Sequence, residues 1–600
     1  MISKTDVLRD TFGFDSFRPG QEGIVDCLVS NRHVLAVMPT GSGKSLCYQV
    51  PALVKGGLAI VVSPLVALMQ DQVAALKLAG VAAETINSAA SREANVDIWR
   101  RVAAGEVRIL YLAPERLMTG RMISALQRLD VRLFAVDEAH CISQWGASFR
   151  PEYEMLHGLR EAFPGVPIGA FTATADHAAR TDIVAKLFGG EADVYVSGFD
   201  RPNISLTVEP KKSAGKQLES FVAGHRGQSG IVYSLSRKST EEYAELLCKL
   251  KYRAVPYHAG LSPERRAQTQ ELFMAEKGVI VCATIAFGMG IDKPDVRFVF
   301  HADLPSSLDA YYQEIGRAGR DGGPAAAHMV FGLGDIRMRR GFVDENDANE
   351  EHKRREHKRL DALVAYCEAP ACRRMSLLAY FGEASGPCGN CDVCLNPVAT
   401  VDGNAEALRI CEAVQQTGER FGAIHIVDVL TGKANDRAAA LRHDELPSFA
   451  AGKDRPRTEW QSLIRQMVGA GFLHLDSGGF GGLSIADKGR ALMKGEGEFR
   501  YRRDMIRSKA RRDRVAPVES DDTMDPRQED LLARLKSLRR SLASERNVPA
   551  YVIFSDRTLI DMAAKAPRTR AAFAEVHGVG AAKLQAFSRM FMQEIKAFEN

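Results

Sequence analysis

A chain of 600 residues has room for about four domains at roughly 150 residues each. Its 46% hydrophobic and 26% charged residues describe an ordinary globular protein, and no stretch approaches the roughly 18 uncharged apolar residues of a membrane span. The net charge of +4 excludes a strongly basic or acidic chain, so any surface for nucleic acid has to be local. The opening MISKTDVLRDTFGFDSF lacks the basic-then-apolar layout of a secretory signal. Of the 11 cysteines, Cys372, Cys388, Cys391 and Cys394 cluster while the rest scatter through apolar segments, a usage that suits a reducing cytoplasm.

In chain order, the apolar runs HVLAVMP (33–39), LAIVVSP (58–64), VRILYLAP (107–114), LFAVDEAH (133–140) and IGAFTATA (168–175) end in turn or polar residues, with helical stretches between them. That is the βαβ rhythm of a parallel sheet with ligands at its carboxyl ends. The rhythm restarts with GIVYSLS (230–236), AVPYHAG (254–260), GVIVCATIAFGMG (278–290) and VRFVFHADLP (296–305), so the expected class is α/β with two tandem parallel-sheet domains, 1–202 and 203–335. From 336 to 400 the chain turns helical and charged and reaches the cysteine cluster. Residues 401–497 read as helices followed by a β-hairpin, FLHLDSGGFGGLSI (472–485). The stretch 498–526 carries Arg500, Arg502, Arg503, Arg507, Lys509, Arg511, Arg512 and Arg514 and reads as a basic linker. Residues 527–600 form a last, all-α unit.

MPTGSGKS (38–45) follows an apolar strand and precedes a helical pattern, the context of a P-loop. Gly41 and Gly43 let backbone N–H groups curl round a triphosphate, with Thr40 and Ser42 in the same loop. Lys44 reaches the β- and γ-phosphates and Ser45 offers a hydroxyl to Mg²⁺. Met38 stands where the strict pattern has glycine. In AVDEAHCISQWGASFRP (135–151), a strand delivers Asp137 and Glu138 at its end, where a P-loop protein needs one acid for Mg²⁺ and another for the attacking water. His140 and Cys141 make a poor nucleophile pair, because sequence neighbours rarely face each other. Phosphoryl transfer also needs cations at the γ-phosphate. YYQEIGRAGRDG (311–322) supplies Gln313, Arg317 and Arg320, spaced to share one helical face. Cys372-x15-Cys388-x2-Cys391-x2-Cys394 has the spacing of a closed, structural Zn²⁺ site, with Cys367 outside it.

These motifs together resemble a RecQ-family DNA helicase of superfamily two, over nearly the whole chain. FGFDSFRPGQ (12–21), MPTGSGKS, VVSPLVALMQDQV (61–73), YLAPERL (111–117), DEAH (137–140), FTATA (171–175), IAFGMGIDKPDVRFVFH (285–301) and QEIGRAGRDG (313–322) stand in family order. The resemblance implies two RecA-like lobes, a helical zinc-binding region, a winged helix and a small HRDC domain. It makes 12–21 the nucleotide-base motif, in which the Gln21 amide can pair with adenine and Phe14 or Arg18 can stack on it. It places Thr172 and Thr174 where the ATP site is coupled to strand binding. Trp145, Phe149 and Arg150 fall in an aromatic-rich loop that contacts single-stranded DNA, stacking on bases beside the acids. Ala147-Ser148 stand where the family usually has His-Asp, which bears on how tightly DNA gates the ATPase. TEWQSLIRQMVGAGF (458–472) takes the recognition-helix position, and Phe480 sits at the tip of a hairpin that can act as a strand-parting pin in the family, although the Gly-rich tip itself reads as an ordinary turn. Arg373 and Arg374, beside the first cysteine, are candidates for DNA contact. NVPAYVIFSDRTLIDMA (547–563) and HGVGAAKL (577–584) look like HRDC, with Tyr551 its candidate DNA contact.

The expected activity is ATP-dependent 3′-to-5′ DNA unwinding in repair and recombination, with ATP, Mg²⁺ and Zn²⁺. Single-stranded and tailed or forked duplex DNA are the expected partners, along with single-strand-binding protein, for a monomer associated with the nucleoid. A nucleic-acid translocase or RNA remodeller that separates no strands is the rival class; a zinc and winged-helix transcription regulator is disfavoured because no catalytic position is missing.

Overall fold

The structure, a computed structural model, describes residues 2–599 apart from 40, 88–89, 144–150, 176, 288–292, 347–349, 398, 434–435, 476–481, 503–524, 547 and 549. Among these residues, seven strands build the first sheet: β1 (Val34–Val37), β2 (Leu58–Val62), β3 (Ala83–Ile86), β4 (Ile109–Leu112), β5 (Val131–Val136), β6 (Ile168–Thr172) and β7 (Asp193–Val196). They lie in the order β3-β4-β2-β5-β6-β1-β7, every pairing parallel. Six more build the second: β8 (Ile204–Pro210), β9 (Ser229–Tyr233), β10 (Arg253–Tyr257), β11 (Val279–Ala283), β12 (Val296–His301) and β13 (Ala325–Phe331), ordered β10-β11-β9-β12-β13-β8 and again parallel.

Helices cover both faces of a parallel sheet, so its central strands are apolar throughout. Along β1, Leu35 and Val37 enter one core cluster while Val34 and Ala36 enter another, as the two-residue strand period requires. The first of these clusters runs on through the second sheet, the zinc region and the winged helix. Helices Glu350–Glu368 and Arg373–Tyr380 lead to the cysteine cluster. Helices Asn404–Gln416, Ala423–Leu430 and Arg457–Gly469 precede an antiparallel pair, Leu473–Leu475 with Leu483–Ile485. The last unit is helical, from Pro526–Glu545 to Ala581–Glu599, around its own core.

Two readings are corrected. Arg373 and Arg374 are buried side chains, unavailable to DNA. Arg373 caps the Glu350–Glu368 helix by donating to the carbonyls of Tyr366 (2.6 Å) and Cys367 (2.9 Å), and pairs with Asp392 (3.0 Å). Arg374 donates to the Ile204 carbonyl at 2.5 Å. The linker begins later than 498, because Arg500–Arg502 is a strand paired antiparallel with Thr400–Asp402. Between its charged neighbours, Phe499 and Tyr501 alternate into the winged-helix core, an apolar signal hidden by the surrounding arginines.

Candidate active site and zinc centre

The order β5-β6-β1 at the centre of the first sheet brings three loops together at its carboxyl end. The P-loop follows β1, Asp137 follows β5, and Thr172 to Thr174 close β6. Gly41 and Gly43 take φ of +81° and +85°, conformations open to glycine and costly for other residues. A Cβ at Gly43 would also lie 2.6 Å from Gln21 Nε2. The loop feeds helix Leu46–Lys55 through its N-cap residue Ser45, whose side chain caps none of the helix's own N–H groups.

Glu138 adopts the left-handed conformation at φ 50°, a strain of about 1–3 kcal/mol for a non-glycine residue. Its N–H donates to Asp137 Oδ1 at 3.0 Å, and its buried Oε2 has His140 Nδ1 at 3.3 Å as its ion-pair neighbour. A buried carboxylate at this position fits the task of orienting a water. Burial, then the neighbouring Glu138 charge, pushes the Asp137 carboxyl up to about 6, against the pull of Lys44. Burial opposes ionisation of Glu138 too, but Lys44, His140, Arg317 and Arg320 together hold its pKa below the usual range. The two acids thus want a cation between them and the P-loop, the donor set that suits Mg²⁺. Asp137 with Ser45 would hold that ion, and Lys44 lies within electrostatic reach of both acids.

His140 is buried and does not act with Cys141, which sits in the core. Its Nδ1 lies 3.0 Å from Thr172 Oγ1, and Thr172 Oγ1 donates to the Thr174 carbonyl at 3.0 Å. Gln313 Nε2, from the second lobe, donates to Thr174 Oγ1 at 2.8 Å. A line of hydrogen bonds therefore runs from beside Glu138 into the other lobe.

The structure corrects one detail of the cation set. Helix Leu308–Ile315 carries Gln313 but stops before Arg317 and Arg320, so the three do not share one helical face. The arginines stand in the turn that follows, and Arg320 still packs its Cγ within 3.4 Å of where a Gly41 Cβ would be. That turn is held by Arg201, which donates to the carbonyls of Gly316 (3.3 Å), Ala318 (2.9 Å) and Gly319 (2.9 Å), and by Asn203, which donates to Gly319 and Gly323. Neither residue was expected from sequence. They sit between the lobes, and only the fold brings them to the turn.

The base motif is tied to the P-loop. Gln21, 2% exposed, accepts from the Arg18 N–H (2.8 Å) and donates to the carbonyls of Ser42 (2.9 Å) and Gly43 (3.2 Å). Arg18 Nη1 donates to the Gly41 carbonyl at 2.7 Å. Gln21 here braces the loop, so pairing with a base requires it to exchange one of these bonds.

At the zinc cluster all four Sγ atoms lie within 4.8 Å of one another, with Cys391–Cys372 at 3.9 Å and Cys388–Cys394 at 4.0 Å. A tetrahedron with Zn–S of about 2.3 Å has an edge of roughly 3.8 Å, so the donors fit the ion and leave no water position. Backbone N–H groups of Cys388, Asn390 and Cys394 donate to the sulfurs of Cys372, Cys388 and Cys391 at 3.3–3.4 Å. Burial raises the Cys372 thiol, but N–H donors from Met375 and Cys388 prevail and bring it down to about 6. Cys367 lies apart, fully buried in the core, where burial drives its thiol pKa far up. The cluster rests on β8: Leu206 bridges to Cys391, and the Val208 N–H donates to Asp392 at 3.2 Å.

Thr40, the DNA-loop residues Trp145, Phe149 and Arg150 (with Ala147-Ser148), and the hairpin-tip Phe480 lie outside the described residues. Tyr551 belongs to helix Ala550–Ile553, and its side chain is likewise outside them. Among the described residues, no helix is long and apolar enough to cross a membrane.

Comparison with known proteins finds a DEAD/DEAH box helicase domain over residues 18–182 and a helicase conserved C-terminal domain over 213–322. A RecQ zinc-binding domain matches 333–395, an RQC domain 397–510 and an HRDC domain 528–595. The ATP-dependent DNA helicase RecQ of Pasteurella multocida is 40% identical over 596 residues, covering 98% of this chain and 93% of that protein. The chain belongs to the RecQ helicase family. The ATP-dependent DNA helicase RecQ of Bacillus subtilis is 36% identical over 595 residues, covering 99% of this chain and 98% of that one. As a RecQ-family DNA helicase the chain uses ATP, Mg²⁺ and Zn²⁺, and the four-cysteine cluster fits the zinc.

Proposed function

We propose that this helicase translocates 3′ to 5′ on single-stranded DNA and unwinds duplexes during repair and recombination, by closing and reopening its two lobes around Mg²⁺–ATP. The observation that carries the reading is the line of contacts from Glu138 Oε2 to His140 Nδ1 at 3.3 Å and on by hydrogen bonds through Thr172 and Thr174 to Gln313 of the second lobe. Lys44 and Ser45 bind the nucleotide's phosphates and ion, Asp137 holds the ion, Glu138 orients water, and Arg317 and Arg320 face the γ-phosphate. The bound Mg²⁺ supplies charge neutralisation at the phosphates. Phe14, Arg18 and Gln21 surround the base, with Thr40, Gly41, Ser42 and Gly43 forming the phosphate cradle and Gln313 reporting closure. Sheet membership supports division of the motor near 202/203 and 335/336, with a winged helix from 401 to 502, followed by the basic linker and the HRDC unit. The protein acts as a monomer on tailed or forked duplexes and works beside single-strand-binding protein.

The direct test is strand displacement from a 3′-tailed DNA duplex, a 5′-tailed DNA duplex and an RNA duplex, each with and without ATP. Unwinding of the 3′-tailed DNA alone is expected; ATP turnover with no strand displacement on any substrate would favour the translocase class. In the same reading the aromatic loop reports DNA to the acids. Trp145→Ala is expected to lower DNA-stimulated turnover far more than DNA-free turnover. Binding should weaken less, because one lost base stack is worth about 1–3 kcal/mol. An unchanged ratio of stimulated to basal turnover would rule out Trp145 as the sensor.

A further inference from the structure

We propose that the terminal helical unit is a working part of the nucleotide site: its loop 577–580 holds the base motif in position, so that ATP affinity depends on its docking. The inference rests on the reading of Phe14, Arg18 and Gln21 as base-binding residues.

The contact is made backbone to backbone. The Gly578 N–H donates to the Gly13 carbonyl at 3.3 Å. A Cβ on Gly13 would lie 2.8 Å from the Val579 nitrogen, and one on Gly580 would lie 2.4 Å from the Thr11 carbonyl oxygen. Both obstacles are main-chain atoms, which no rotamer change can move, so the approach needs glycine on each side. Gly13 and Gly578 also both take positive φ, at 74° and 77°. Beside this junction the His577 ring lies 5.4 Å from the Phe14 ring, tilted by 57°.

A second contact fixes the orientation of the unit. A Cβ on Gly80 of the first lobe would lie 3.1 Å from Ala582 Cβ, and Leu78 packs onto the terminal unit's core. Helix Ala550–Ile553 packs against helix Val66–Leu78 of the first lobe and helix Pro263–Ala275 of the second. The unit therefore touches both halves of the motor as well as the base motif.

From residues 11–14 the connection to the phosphates is short. Arg18 and Gln21 follow within a few residues and hold the carbonyls of Gly41, Ser42 and Gly43. A shift of the base motif is thus passed to the P-loop by three hydrogen bonds. By linkage, whatever nucleotide binding gains from docking, docking gains from nucleotide.

The test uses the full chain. Gly580→Val drives a branched side chain into the Thr11 carbonyl, whereas Ala582→Glu places a charge at the separate Gly80 contact and leaves residues 11–14 alone. KM for ATP and kcat are measured with saturating single-stranded DNA and without it. Both variants are expected to raise KM at least about five-fold, the low end for coupled sites, with kcat at saturating ATP nearly unchanged. Ala582→Ser, which fits the same space, is expected to keep the wild-type KM. An unchanged KM in both undocking variants would overturn the inference. So would a rise in Gly580→Val alone, since that would trace the effect to disturbed residues 11–14 and not to docking. Phe14→Ala tests the underlying reading separately: a KM it leaves unmoved, while both undocking variants raise theirs, removes Phe14 from the base pocket and leaves docking to act through Arg18 and Gln21.

Discussion

Asp137→Asn and Lys44→Ala are each expected to abolish measurable ATP turnover, a loss of at least about 1000-fold, while single-strand affinity at fixed salt stays near that of wild type. The magnitude follows from the charge each residue manages. Lys44 draws down the pKa of both buried acids, and Asp137 is the one whose carboxyl burial and the Glu138 charge nevertheless push up. Removing either strips a charge from a buried site, and several kcal/mol of lost charge stabilisation in the transition state is a factor of about 10³ in rate. DNA affinity should survive because strand contacts and phosphate contacts use different residues; salt must be held constant because backbone binding varies steeply with it. Near-normal turnover in either variant would refute the assignment.

Cys391→Ser is expected to give protein without zinc that is poorly soluble and rapidly cut by protease, whereas Cys367→Ser is expected to keep one zinc per chain. Structural zinc binding is coupled to folding and is worth about 10–16 kcal/mol in small domains, more than the whole stability of many of them. Cys391 is the most buried of the four ligands, and its Sγ accepts the Cys394 N–H, so losing it disturbs both the ion and the turn. Cys367 is equally buried but belongs to the hydrophobic core, so a serine there costs about 1–3 kcal/mol of polar burial without touching the metal. Metal analysis of freshly purified wild type that found no zinc would defeat the prediction, and so would zinc lost with Cys367→Ser.

The motor was legible wherever chemistry and hydrophobicity coincide in one short run. LFAVDEAH announces both a strand and the acids it delivers, and MPTGSGKS both a turn and its ligand. The strands that escaped notice lack that coincidence. β13 begins Ala-Ala-Ala, residues with little strand preference, and β7 alternates half-buried with exposed positions over four residues. Cysteine spacing fixed the zinc ligands, but two adjacent arginines beside them looked like a basic surface until the fold turned Arg373 onto a helix end and Arg374 onto the chain between the lobes. Sequence spacing also put Arg317 and Arg320 on the helix of Gln313. That helix ends early at Ile315, and Arg201, more than 100 positions upstream, holds the turn in its place. Such a partnership leaves no local mark.

The seating of the cysteine cluster on β8 has a consequence for solution behaviour. β8 is the outermost strand of the second sheet, so among the described residues one side of its backbone has no strand neighbour. The bridge from Leu206 to Cys391 and the bond from the Val208 N–H to Asp392 occupy that side. Stripped of zinc, the knuckle would release a seven-residue strand rim with open amide and carbonyl groups, a template for pairing with another chain. Chelation should therefore do more than soften a small subdomain. It should convert the helicase into a species that self-associates through its motor, at a rate that climbs with protein concentration.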